Sequence, residues 1–134
     1  MTTPLLEFEV RKAVLAKLTT DLAALSPPVP VVDHPAANQA YPYVTLDRVL
    51  GRPQDLIADD YTNFLFYFSI WSTKRGHREA QLIAGAARNA LHRAELTSAA
   101  GNIVEIRVTR TDITRDGDGV TYTGSLEVEV VAEH

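Results

Sequence analysis

The sequence predicts an α+β fold in which two helices pack on one face of a four-stranded, mainly antiparallel sheet, in the order α-β-β-α-β-β. Three observations carry this prediction. Apolar residues recur at helical spacing in two separate stretches, one near the start of the chain and one after residue 78. Phe64, Phe66, Phe68 and Ile70 alternate with other side chains, the period of a strand with one buried face. Two more alternating runs flank an Asp-Gly-Asp-Gly turn, which makes them the arms of a hairpin. Two amphipathic helices laid on one face of such a sheet bury all of these apolar stripes together.

In the first stretch Leu6, Val10, Val14, Leu18, Leu22 and Leu25 follow steps of four and three, one stripe of an α-helix. Thr3 and Pro4 suit its cap and first position, and Ser26 with Pro27 and Pro28 ends it, because proline excludes the α region for the residue before it. Val29 to Asp33 is a short β-prone piece. Pro35, Asn38 and Pro42 then mark an irregular connection into a strand from Tyr43 to Val49. Gly51 and Pro53 break that strand. With three aspartates (Asp55, Asp59 and Asp60) and only Leu56 and Ile57 as apolar neighbours, Gly51 to Asp60 reads as a long exposed loop.

Tyr61 to Ser72 is the strongest strand, its second face carrying Tyr67 and Trp71, flat rings with polar handles that suit contact with a helix edge or another subunit. After a turn from Ser72 to Gly76, the positions Ala80, Ile83, Ala84, Ala87 and Leu91 restore helical spacing. That second helix is expected to lie flat on the aromatic strand. In the last third, Val104, Ile106 and Val108 alternate with Glu105, Arg107 and Thr109, and Leu126, Val128 and Val130 alternate with Glu127 and Glu129. Asp116 to Gly119 joins the two arms.

The composition narrows the function. The 134 residues suit a single domain spanning 1–134, which should bury roughly two thirds of its unfolded surface. A formal charge of −4 offers no basic excess for a phosphate backbone. The absence of cysteine excludes disulfides, thiolate catalysis and thiolate metal sites. Neither an export signal nor a membrane-length apolar run is evident, so synthesis in the cytoplasm without membrane contact is expected.

No chemistry-bearing motif emerges. The histidines, His34, His77, His92 and His134, include no helical metal pair, and His92 suits the negative pole of the second helix. Reading Thr114 as the start of a calcium loop leaves Ser125 where a glutamate is needed. The carboxylates Asp47, Asp55, Asp59, Asp60, Glu127 and Glu129 read as solvated loop and strand faces. No nucleophile elbow or phosphate loop is present, and the basic cluster Lys74, Arg75, His77 and Arg78 reads as a solvated turn. The expectation is no catalytic residue, no metal and no cofactor.

Several segments taken together are similar to a known family. They are "VVDHPAANQAYPYVTL" from Val31 to Leu46, "FYFSIWSTKRGHREAQLIAGAARNAL" from Phe66 to Leu91, and the ending "VTRTDITRDGDGVTYTGSLEVEVVAE". With the N-terminal helix, these make the chain resemble the tail terminator or tail completion proteins of long-tailed phages and phage-derived gene transfer agents. The resemblance covers nearly the full chain. It implies a structural virion protein that forms a ring, usually of six subunits, at the head-proximal end of the tail tube. Such a ring ends tube growth, meets the head-tail connector or stopper protein, and lets DNA pass without reading it. Arg52, Asp55, Leu56, Ile57, Asp59, Asp60, Trp71, Asp116 and Asp118 are then the candidate contacts with a neighbouring subunit or partner. The alternatives are another neck or tail component, such as a tube or head-completion subunit, and a small ferredoxin-like hydrolase using the acidic loop.

Overall fold

The computed structural model describes residues 6–25, 28–33, 35–55, 60–73, 77–96, 98, 102–115 and 121–133, with the backbone alone at 53–55 and 60. Helix α1 spans Leu6–Ala23, followed by strand β1 at Val31–Val32, β2 at Tyr43–Asp55 and β3 at Asp60–Ser72. Helix α2 spans Arg78–Leu91 and leads to β4 at Asn102–Arg115 and β5 at Tyr122–Glu133. The fold class is α+β as the sequence predicts, but the sheet has five strands in the order β1-β2-β3-β5-β4. The added strand is the short β-prone piece after α1, where Val31 and Val32 pair in parallel with Val44 and Thr45. All other pairings are antiparallel, so the sheet is mixed.

The predicted helical stripe is the buried face of α1: Leu6, Val10, Val14, Leu18 and Leu22 all lie in the core. The helix stops at Ala23, and the N–H groups of Leu25 and Val29 both turn back to the carbonyl of Leu22. This satisfies an end that the prolines force upon the chain. The proposed cap at Thr3 and Pro4 lies outside the described residues. Helix α1 packs beside α2 and β1, and α2 lies over β3, β4 and β5. Small residues make that close approach possible, with Ala80, Ala84, Ala87 and Ala90 buried around Ile83 and Leu91.

Between helices and sheet sits the inner face of the strands: Phe64, Phe66, Phe68 and Ile70 from β3, Leu126, Val128, Val130 and Ala132 from β5, with Val44 and Ile106. Each fully buried large side chain in this layer contributes roughly 1.5–3 kcal/mol. Gly124 fits here because Ile70 leaves it no room; a Cβ at 124 would lie 3.1 Å from the Ile70 Cβ.

Two expectations are corrected. Gly51 to Asp55 and Asp60 are not loop but continuing strand, with twelve register pairs from Tyr43↔Trp71 to Asp55↔Asp60. Gly51 serves as a close approach, since a Cβ there would stand 3.3 Å from the Phe64 ring. Pro53 is tolerated because, past Thr45, no described strand pairs with the far side of β2. Second, Val104 does not share the inner face with Ile106. A bulge between Ile103 and Glu105 turns it outward, 55% exposed, and puts Ile103 inward in its place.

Candidate assembly surfaces

The helices cover one face of the sheet, and among the described residues no element covers the other. Alternation from the core residues of β3 puts Tyr61, Asn63, Leu65, Tyr67, Ser69 and Trp71 on this open face, half-buried by one another. Next to them β5 contributes Thr123, Ser125, Glu127, Glu129, Val131 and Glu133. The open face is therefore a flat mosaic in which a file of glutamates runs beside a file of aromatics.

Its most ordered part surrounds Trp71. The Trp71 ring stacks on Tyr43 at 6.0 Å and 18°, and the Tyr43 ring tilts against Tyr41 at 5.3 Å. The Trp71 Nε1–H donates to Thr45 Oγ1 at 3.2 Å, and the Thr45 hydroxyl donates to Asp47 Oδ1 at 2.8 Å. The Ser69 hydroxyl donates to Asp47 Oδ2. Asp47 is placed for this by a bulge between Leu46 and Arg48, which supplies an extra residue opposite β3. Its carboxylate links two strands, one oxygen to each hydroxyl, and reaches the sole tryptophan through the Thr45 hydroxyl. Burial, then Tyr41, pushes the Tyr43 phenol above its ordinary range and keeps it neutral.

Charge on this face is paired across strands. Arg48 lies over the Tyr67 ring at 5.6 Å, and Arg107 meets Glu129 at 3.0 Å. A shallow depression between these strands is lined by Asp47, Tyr67, Ser69, Arg110, Ser125 and Glu127. A polar, mixed-charge surface of this kind suits protein contact at a rim or aqueous wall and does not attract a phosphate backbone. Among the described residues no three potential metal ligands of His, Cys, Asp or Glu type cluster, and no helix is long and apolar enough to cross a membrane.

The two hairpins leave opposite ends of the sheet. β2 and β3 join beyond Asp55 and Asp60, close to Asn102 and Glu133, whereas β4 and β5 join beyond Arg115 and Tyr122, at the Tyr43 and Trp71 end. The structure thus separates those of the candidate contacts that it describes. Trp71 is at one end of the open face, and Arg52 is exposed on β2 toward the other end. Asp55 and Asp60 are opposed at the close of the β2–β3 hairpin. Leu56, Ile57, Asp59, Asp116 and Asp118 lie outside the described residues.

Residues that the sequence did not single out as contacts frame a further surface. After α2, the N–H of Arg93 donates to the Ile106 carbonyl at 2.8 Å, and the N–H of Val108 donates to His92 Nδ1 at 3.1 Å. Two residues thereby cap part of the β4 edge, with Arg93 in the left-handed region at φ 59. His92 is an acceptor here, and its value is lowered by burial and then by Arg88, Arg93 and Arg107. The expected favourable charge at the helix pole is thus replaced by a neutral ring. A separate apolar hollow on α1 is lined by Phe8, Arg11, Lys12, Leu15, Ala16, Thr19 and Thr20, with Phe8 55% exposed. Helical spacing could have found it, since Phe8 and Leu15 lie seven residues apart on a stripe that flanks the core stripe, with Leu15 packed against the core edge.

Comparison with known proteins gives a family and a fold. The profile of a family described as tail completion protein gp17 matches residues 12–133. A chain from a solved structure described as the virion of a native gene transfer agent particle superposes with a TM-score of 0.84 at 23% identity, covering 96% of this chain and 97% of that one. A second solved chain superposes with a TM-score of 0.63 at 15% identity, covering 98% and 97%. No curated protein sequence matches.

Proposed function

Because the chain belongs to the tail completion protein gp17 family, we propose that it acts as a ring on the head-proximal end of a tail tube. There it ends tube growth and meets the head-tail connector, with DNA passing through its centre. The family match along residues 12–133 carries this reading. The likeness of fold to a chain of a gene transfer agent virion supports it.

The molecule's surfaces suit that work. A closed ring needs two different faces on each subunit, because a heterologous contact repeats by rotation until it closes. The two sides of the sheet, one closed in part by β1 and the other by His92 and Arg93, are distinct surfaces of that kind. A wall on which a file of glutamates runs beside arginines held by Tyr67 and Glu129 would bind a polyanion weakly enough to let it slide. The protein does this as a structural component of the virion tail, without catalysis.

Two measurements test the proposal. Light scattering of the purified chain, alone and with tail-tube ends, should give a fixed multiple of the 14.7 kDa subunit mass. Particles made without the protein should carry overlong or headless tails. Tails of normal length, joined to heads, would reject the terminator role and favour a tube or head-completion role instead.

A further inference from the structure

We propose that neighbouring copies join edge to edge, the β4 edge of one pairing antiparallel with the β2 edge of the next, so that the sheets run continuously around the assembly. This inference rests on the ring reading and specifies its subunit contact.

The observation behind it is that both outer edges are only partly capped, at diagonally opposite places. On β2, strand β1 covers Val44 and Thr45, with the Val44 N–H donating to the Pro30 carbonyl at 3.0 Å. Antiparallel alternation, carried past the bulge at Asp47, turns the backbone groups of Val49 and Gly51 outward. On β4, His92 and Arg93 cover Ile106 and Val108. Carried past the bulge at Thr109, the same alternation turns Thr111 and Ile113 outward. Among the described residues nothing meets either row. Uncapped rows of N–H and C=O are templates for another strand.

The β4 row also has a prepared seat. It forms one wall of a groove whose other wall is α2, and the lining includes Gln81, Gly85, Arg88, Thr111 and Ile113. A strand laid there would be flanked by a helix, as β1 is flanked by α1.

Charge and geometry agree on the occupant. Leu50 lies level with Leu65, and Asp112 lies level with Ser69 through Ser125, so the free parts of the two edges are offset by about four residues, or about 13 Å. Four strands from β2 to β4 make a repeat about 19 Å wide. That offset tilts the strands by about 35°, the lower end of the range of about 35–45° in which sheets close into barrels. With Leu50 opposite Asp112, the guanidinium groups of Arg48 and Arg52 flank the Asp112 carboxylate on the same face, within diagonal reach. Arg52 then faces Arg110, which has Glu127 opposite it on β5 and Asp112 at 3.8 Å. A second copy supplies the complement because both edges belong to one chain.

The full chain has no cysteine, so introduced pairs report unambiguously. Leu50→Cys is combined in turn with Arg110→Cys, Asp112→Cys and Thr114→Cys, and each variant is oxidised after assembly on tail-tube ends. The Leu50→Cys, Asp112→Cys pair is expected to give a ladder of multimers that ends at the ring mass, with the other pairs weaker. An assembly of ring mass in which no pair cross-links overturns the edge contact and leaves the ring reading standing. An unaltered chain that stays monomeric with tubes present removes the ring reading and this inference with it. Thr111→Pro offers an independent check, because it deletes an outward N–H and no bond to β5. Assembly should fall by roughly ten-fold or more with the melting temperature nearly unchanged. Unimpaired assembly by the folded variant refutes the pairing.

Discussion

At Gly124 a methyl group would press within 3.1 Å of the Cβ and 3.3 Å of the Cδ1 of Ile70, a side chain with no exposed surface. Gly124→Ala should therefore lower stability by about 1–3 kcal/mol in urea titration, since the core has no slack to receive it. Gly85 provides the opposite case. It lies mid-helix with nothing within 4 Å of a built Cβ, so Gly85→Ala should raise monomer stability by about 0.5–1 kcal/mol in the same assay. His92 links stability to pH. Its folded value lies below the ordinary 6.5, so the unfolded chain binds more protons and the stability contribution is full above pH 6.5. That contribution is lost as pH falls through the lowered value, because a protonated Nδ1 cannot accept from Val108. Urea midpoints measured from pH 7 to 5.5 should fall for the parent chain and fall less for His92→Asn, whose amide oxygen stays an acceptor at both ends of the range.

Among the elements, the helices and the inner sides of β3 and β5 were legible in the sequence because their apolar periods run unbroken against a single core. Strand β2 was legible only to Val49. Gly51 and Pro53 carry the general signature of a break, yet here one fits beneath the Phe64 ring and the other lies along a side without a described neighbour. β1 is too short for any period, and its pairing depends on β2 across an irregular connection that carries no period of its own. In β4 the period itself shifts at two bulges, so a strict alternation reading put Val104 inside and left Ile103 out. The assembly surfaces were less legible still. Trp71 could be read from its chemistry, but the Asp47 carboxylate that anchors it depends on a bulge that no spacing rule shows. Asp47→Ala should cost about 1–3 kcal/mol, seen by thermal melting, since the Thr45 and Ser69 hydroxyls lose their shared acceptor. Charge reversal at Asp59 and Asp60 tests the β2–β3 hairpin end separately. If that end touches a partner, tail assembly should change while the circular dichroism spectrum does not.

At the scale of the whole molecule, a sheet with helices on one side has an inside and an outside before any partner arrives. For this member of a tail completion family, the proposed ring would give that asymmetry a use, with one surface turned to the bore and another to solvent. The contact proposed between subunits uses neither broad face. It leaves the open face whole, and it leaves the Asp55–Asp60 and Arg115–Tyr122 pairs at opposite ends of the sheet, where different neighbours above and below can be met. The lone tryptophan of the chain stands on that open face, half-buried against Tyr43 and beside one hairpin end. Its emission is consequently a built-in optical reporter with no other tryptophan to dilute it. A shift to shorter wavelength on mixing with tail tubes or connectors would identify the partner that dries this end of the sheet, and would time its arrival without a dye or a tag.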